Sequence, residues 1–289
     1  MFREKDSQGG LPYTSTIKTL LYAMEKPAAA PGAPGTKVCL ATMENTPGHA
    51  RLPGLEDEAR AIRATLGAAA VVLAQPTAAA VARHLAECNV VHLACHGRSD
   101  FGHPSRSYLV LARTDGDGRG AAREDRLSVE DVLRRRTRAS GIAFLRACFS
   151  ADNPDHGLSD EAIHMASAFF LGGFNHVLAT MWSTRNASCG AVSRRFYECL
   201  RDEGGREGDP LRVAWAFHRA VDELRRGAMG NPLLWASFIH MGVQGPGAWL
   251  GTVASAVVLH EQMVVARTPL AGDADLYLGK LRFYRRGSS

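Results

Sequence analysis

The sequence predicts an α/β protein built on a mostly parallel sheet with helices on both faces. Three observations lead there. Short apolar runs of buried-strand type recur along the chain, segments with helical spacing of apolar residues separate them, and glycine, proline and capping residues punctuate the joints. Strands that alternate with helices in this way pair in parallel, because the helix returns the chain to the same end of the sheet.

Taken in order, Lys37–Met43 reads as a buried strand. Residues 55–66 (LEDEARAIRATL) read as a helix with Leu55, Ala59, Ile62 and Leu66 on one face. Val71–Ala74 is a short strand, and Thr77 can cap the helix AAAVARHLAEC that follows. Val90–Cys95 is a strand running into His96-Gly97, and 107–112 (SYLVLA) is another, ended by the turn-rich TDGDGRG. Ser128 and Asp131 have capping-box spacing and open a helix to about Arg136. Ile142–Ala147 is a strand running into Cys148. A helix starts at Ser159 and stops at Gly172-Gly173, and His176–Trp182 is the next strand. Helices follow at about 186–202 and 210–226, the second opened by Asp209-Pro210, and 235–243 is the last strand.

The proline- and glycine-rich linker 27–35 sets residues 1–35 apart, where LPYTSTIKTLLYAM has the pattern of one amphipathic helix. Residues 36–244 form the patterned domain, and 245–289 are a tail without a readable motif. The sequence opens inside what reads as the first segment of the domain, as a fragment or a minimal, truncated gene product would.

The chain has 289 residues, 46% hydrophobic and 22% charged, enough to bury a sizeable core without staples. Lysine and arginine total 34 against 29 aspartate and glutamate, a net charge of +5 with Arg134-Arg135-Arg136 its one tight basic triplet. Without aromatic-basic interleaving, that charge does not indicate nucleic-acid binding. The six cysteines include no C-x-x-C pair, the N-terminus has no apolar signal core, and no apolar run is long enough to span a bilayer. These features describe a cytoplasmic, membrane-free protein with reduced thiols and without a zinc knuckle or redox dithiol.

In an open parallel sheet, chemistry gathers outside the carboxyl ends of the strands. His96 and Cys148 both sit at such ends. If their strands are parallel neighbours, the two side chains share an edge, the arrangement a Cys/His nucleophilic pair requires. A thiol with a pKa near ~8.5 is mostly protonated at neutral pH, and an imidazole beside it can take the proton and later pass it to a leaving amine. Gly97 brings a backbone N–H to the site without a side chain, and with the Cys148 amide it is a candidate oxyanion hole.

At these residues the ordered set VVHLACHG, SYLVLA, LSVEDV, IAFLRACFSA, a helix ending FFLGG, FNHVLATMW and WASFIHMG resembles the CHAT domain, the caspase- and separase-related family of cysteine peptidases. LATMENTPGHARLPGLEDEARAI resembles the family's opening strand, turn and first helix, so the resemblance spans roughly residues 11–244. It implies a caspase-like three-layer α/β/α fold and cysteine endopeptidase (thiol protease) activity through a thioester acyl-enzyme, with no metal or organic cofactor. Residue by residue, the family's histidine falls on His96 and its nucleophile on Cys148. The pair Phe149-Ser150 departs from the small residues that usually follow the nucleophile. The resemblance also implies a protein or peptide substrate, and a helical-repeat protein as a regulatory partner.

Other residues near the pair need weighing. Asp152, in the loop after Cys148, is a candidate base for a pocket taking a basic side chain, as the likeness to separase implies. Asp160 and Glu161 read better as first-turn acids favoured by the helix dipole. Trp182 ends a strand on the same edge and could wall the cleft. His92, Cys95 and His96 could suggest a metal site, but alternation on a strand turns Cys95 away from the two histidines, so His92 reads as a buried histidine and Cys95 as core. The other function class is a catalytically silent caspase-like interaction module acting through a protein partner.

Overall fold

The computed structural model describes residues 36–67, 70–98, 100, 103–114, 121–134, 141–149, 159–202 and 211–242. Eight strands form one sheet: β1 (Val38–Thr42), β2 (Ala70–Ala74), β3 (Val90–Arg98), β4 (Tyr108–Thr114), β5 (Ala122–Ser128), β6 (Ile142–Phe149), β7 (His176–Thr180) and β8 (Phe238–Gly242). The main order is β2-β1-β3-β6-β7-β8, parallel except for the antiparallel edge strand β8. The β4–β5 hairpin joins the outer half of β3, antiparallel to it.

The helices are α1 (Leu55–Leu66), α2 (Ala78–Glu87), α3 (Val129–Arg134), α4 (Ser159–Gly172), α5 (Asn186–Asp202) and α6 (Leu211–Gly227). Alternation along each central strand divides the core into two layers. Val91, Leu93, Ala143, Leu145, Val177 and Met241 face α2, α3 and α4. Val90, Leu40, Ile142, Phe144 and Leu178 face α1, α5 and α6, where Phe144, Phe196 and Phe217 pack ring against ring. The three-layer α/β/α architecture with a mostly parallel sheet is therefore present.

Local chemistry explains the joints. Thr77 caps α2 by accepting a hydrogen bond from Ala80 N at 3.1 Å, and the Asp125 carboxylate accepts one from Ala78 N at 2.7 Å. Ser128 and Asp131 form a reciprocal capping box: Asp131 N donates to Ser128 Oγ at 3.1 Å and Ser128 N to Asp131 Oδ2 at 3.0 Å. Gly173 ends α4 at φ +115°, a conformation that disfavours a side chain.

Two sequence expectations change. The turn-rich stretch after residue 112 leads into a strand the sequence pattern does not announce: β4 runs to Thr114 and β5 begins at Ala122. In β5 only Leu127 is buried, because the rest of the strand lies along the outside of the hairpin, so its charged residues hide the period-2 signal. The strand holding His96 also continues to Arg98, because β4 pairs with residues 96–98 and extends it. The helix expected within residues 1–35, the Asp209-Pro210 cap, Asp152 and the tail 245–289 lie outside the described residues. Among the described residues no helix is long and apolar enough to cross a membrane.

Candidate active site

The outer end of β3 meets three different neighbours. Its first half pairs with β1 as far as Thr42↔Ala94, its last residues pair with β4 from His96↔Val110, and β6 follows it throughout. Where β1 gives way to β4 the sheet edge opens, and His96 stands at that point. The β3–β6 register pairs Ala94 with Arg146, His96 with Cys148 and Gly97 with Phe149. Position 148 is in step with Phe144 and Arg146 along β6, as His96 is with His92 and Ala94 along β3, so both positions belong to the α1/α5/α6 side of the sheet. Neighbouring strands run roughly 5 Å apart, so the fold brings the two backbone positions together.

The imidazole of His96 is held from the loop between β1 and α1. Its Nε2–H donates to the carbonyl of Ala50 at 2.7 Å, leaving Nδ1 as the basic atom of the ring. The His49 ring stacks on its face, with centroids 4.9 Å apart and planes inclined by 25°. Burial pushes the His96 pKa below its ordinary value, the Ala50 carbonyl opposes that, and His49 adds to the depression. The ring therefore stays neutral, and able to accept a proton, to a lower pH than a free histidine.

Beside His96 a pocket of about 140 Å³ is lined by Leu52, Leu55, Cys95, Arg146, Ser183, Thr184, Asn186 and Cys189. Its charged wall is the Arg146 guanidinium, which is buried. Nη1 donates to the Glu58 carboxylate, and Nη2 donates to the Asn186 carbonyl at 2.8 Å and to its Oδ1 at 2.6 Å. Glu58 also accepts from Ser193 and lies 3.4 Å from His92 Nε2. Burial alone would raise the Glu58 carboxyl, but His92, Arg146 and Ser193 together outweigh it and hold the pKa below the ordinary carboxylate value.

His92 is buried as expected, between Glu58 and Tyr197, whose OH lies 3.4 Å from His92 Nδ1. Cys95 packs in the opposite, α2/α3/α4 layer. Trp182 packs against that same layer, and its neighbours Ser183 and Thr184 line the pocket instead. Gly97 lies in the ladder between Leu109 and Phe149. Among the described residues no cluster of three or more His, Cys, Asp or Glu side chains could hold a metal ion. Sequence reading missed Arg146, Glu58, Asn186 and the His49-Ala50 pair. Only Arg146 carried a usable signal, as a charged residue inside an otherwise apolar strand.

Three solved structures illustrate what the chain is similar to. Over 78% of its length it aligns with the Arg-specific cysteine proteinase gingipain R, at 12% identity, a TM-score of 0.45 and 51% of that chain. It aligns likewise with separase in the Saccharomyces cerevisiae separase–securin complex, at 12% identity, a TM-score of 0.44 and 13% of that chain. Caspase-1 from Spodoptera frugiperda aligns with 82% of the chain at 10% identity and a TM-score of 0.42, with 96% of the caspase covered. The chain thus spans about half the length of gingipain R and a small part of separase. No curated protein matches it. The model of the CHAT domain family, however, matches residues 11–243. With most of its length matched, and with the strand order that carries the site already in place, the chain belongs to the CHAT domain family.

Proposed function

We propose that the chain is a cysteine endopeptidase in which Cys148 is the nucleophile and His96 its base. The observation that supports this most is the pairing of His96 with Cys148 on adjacent parallel strands, with the His96 Nε2–H already committed to Ala50. Nδ1 of His96 then takes the proton of the Cys148 thiol as sulfur attacks the peptide carbonyl. The resulting oxyanion is met by the backbone N–H groups of Gly97 and Cys148. Collapse breaks the C–N bond, His96 returns the proton to the departing amine, and a thioester remains. Water, deprotonated by the same imidazole, hydrolyses the thioester and regenerates the thiol. The reaction needs only these groups and water.

The pocket beside His96 is the natural receptacle for a substrate side chain. Its described wall presents Arg146, with neutral polar and small groups around it. A pocket for a basic side chain would draw its carboxylate from Asp152. A peptide library separates these cases: cleavage after Arg or Lys supports Asp152, and cleavage after other residues removes that assignment while leaving the pair intact.

The direct test is covalent. A peptidyl electrophile that alkylates thiols should label Cys148, the label should vanish in Cys148→Ala, and it should fall sharply in His96→Ala. Labelling that persists in Cys148→Ala ends the proposal. No label and no cleavage, with saturable binding of a protein partner, would establish the silent interaction module instead.

A further inference from the structure

One hydrogen bond cannot hold an imidazole in place. The contact from Nε2–H of His96 to Ala50 fixes an edge of the ring but leaves it free to swing about the axis through that bond. The second constraint is the His49 ring lying across its face. His49 is itself anchored: its Nε2 lies 3.4 Å from Glu124 Oε2, and Glu124 in turn accepts from Tyr108 OH at 3.0 Å and from Arg126 Nε at 2.8 Å. His49 and Glu124 are tucked in, their side chains only 18% and 23% exposed.

The loop that presents His49 is built for it. His49 N donates to Thr46 O at 3.0 Å, closing a turn in which Gly48 takes φ +75°. Leu52 N donates to Glu44 O at 2.9 Å, and the Arg51 guanidinium reaches the Glu44 carboxylate at 2.5 Å. Two successive residues, His49 and Ala50, therefore meet His96 by face and by edge.

We propose that His49 is a positioning residue for His96, tethered through Glu124 to the β4–β5 hairpin, and that it sets both the plane and the proton affinity of the His96 ring. The proposal rests on the reading of His96 as the base. Arg51 and Glu44 of the loop neutralise each other, as do Arg146 of β6 and Glu58 of α1. Glu124 and Arg126 of β5 are paired, with Tyr108 of β4 on the same carboxylate and Arg98 at the end of β3. The His49 ring stacked on His96 disfavours a proton there. Burial acts in the same direction.

The test uses the full chain carrying His49→Phe, His49→Ala or Glu124→Gln, each checked for native circular dichroism. The His96 ring is titrated by NMR in a Cys148→Ala background, and Cys148 alkylation by the peptidyl electrophile is followed against pH in the unmodified site. His49→Phe keeps a ring on the face but removes the influence of the His49 imidazole, so the His96 midpoint should move up while the labelling rate at its optimum is largely retained. His49→Ala should move the midpoint up and slow labelling several-fold. Glu124→Gln should slow labelling in the parent and add nothing in the His49→Ala background. An unmoved His96 midpoint in His49→Phe, or equal effects of Glu124→Gln in both backgrounds, overturns the proposal. Should Cys148 resist labelling in the parent chain, the peptidase reading fails, while the NMR titration still decides the role of His49.

Discussion

Arg146 on β6 and Glu58 on α1, 88 positions apart in the chain, form a buried ion pair two residues before Cys148. It links the strand carrying the proposed nucleophile to the helix layer beneath it, and Asn186 at the start of α5 closes the third side, donating from Nδ2 to Pro53 O at 2.8 Å as well. The wall of the pocket is therefore one connected block of β6, α1, α5 and the loop before α1.

Breaking that pair from one side should be costly. Arg146→Met leaves a buried carboxylate without its partner, and a loss of about 3–5 kcal/mol is expected in urea unfolding. Glu58→Gln with Arg146→Met together should recover a substantial part of it. Equal losses in the single and double variants would show that packing, and not the charge pair, dominates.

A methyl group at Gly141 should be worse tolerated than one at Gly227. An added Cβ at Gly141 would stand 1.7 Å from the Asn89 carbonyl oxygen, and both residues lie in the backbone crossing where Ile142 N donates to Asn89 O and Asn175 N to Gly141 O. Gly141→Ala should cost about 1–3 kcal/mol or more, since backbone must move rather than a side chain. At Gly227 a Cβ meets nothing within 4 Å, so Gly227→Ala should leave the melting temperature unchanged or raise it. Similar melting temperatures for the two variants would contradict this.

Acid should destabilise the fold in two stages. His176 and His240 pack ring against ring with Nδ1 and Nε2 3.1 Å apart. Burial pushes His240 down to about 4 and His176 well below its ordinary value, the neighbouring His240 adding to the latter. The unfolded chain binds these protons near pH ~6.5 and the folded chain does not, so stability should decline as pH falls below about 6.5 and toward 4. Glu58, depressed in the folded state, contributes fully above the ordinary carboxylate range and loses its contribution only as pH drops through its lower folded value. Chemical unfolding measured across this range should show the first decline flattened in His240→Phe. An identical slope in that variant would exclude the histidine pair as its cause.

The capping box before α3 should be worth about 1 kcal/mol. Ser128→Ala removes the acceptor of Asp131 N and a donor to the same carboxylate, and Asp131→Ala removes the reciprocal half. Because the two bonds form one unit, the double variant should cost little more than either single one, and strictly additive losses would argue against the reciprocal arrangement.

Much of the sheet was readable from the chain because its strands are buried on both faces, so β1, β3, β6 and β7 appear as predominantly apolar runs. Leu55–Leu66 was readable for the opposite reason: one apolar stripe on an otherwise charged helix leaves a clean period. The strand β5 was not, since AREDRLS lies on the open side of a hairpin and buries little beyond Leu127. His96 and Cys148 stood out by their positions near strand ends. Glu58, Asn186 and His49 did not, because each reaches the site through packing between elements distant in sequence, and no local period records that. His49 in particular sits in a turn, TPGHAR, where the only signal is the glycine that lets the chain reverse.

The exchange of neighbours along β3 imposes a rule of parity on this family member. Between Val90 and His96 the ladder has no bulge, so the number of residues separating the strand's entry from its imidazole decides which layer that ring enters. Inserting or deleting one residue there would turn the ring toward α2 and α4 and bring Cys95 or Gly97 into its place. A change of two would restore the side but slide the ring past the junction where β1 hands over to β4. The length of that half-strand is thus as much a part of the chemistry as the histidine it delivers.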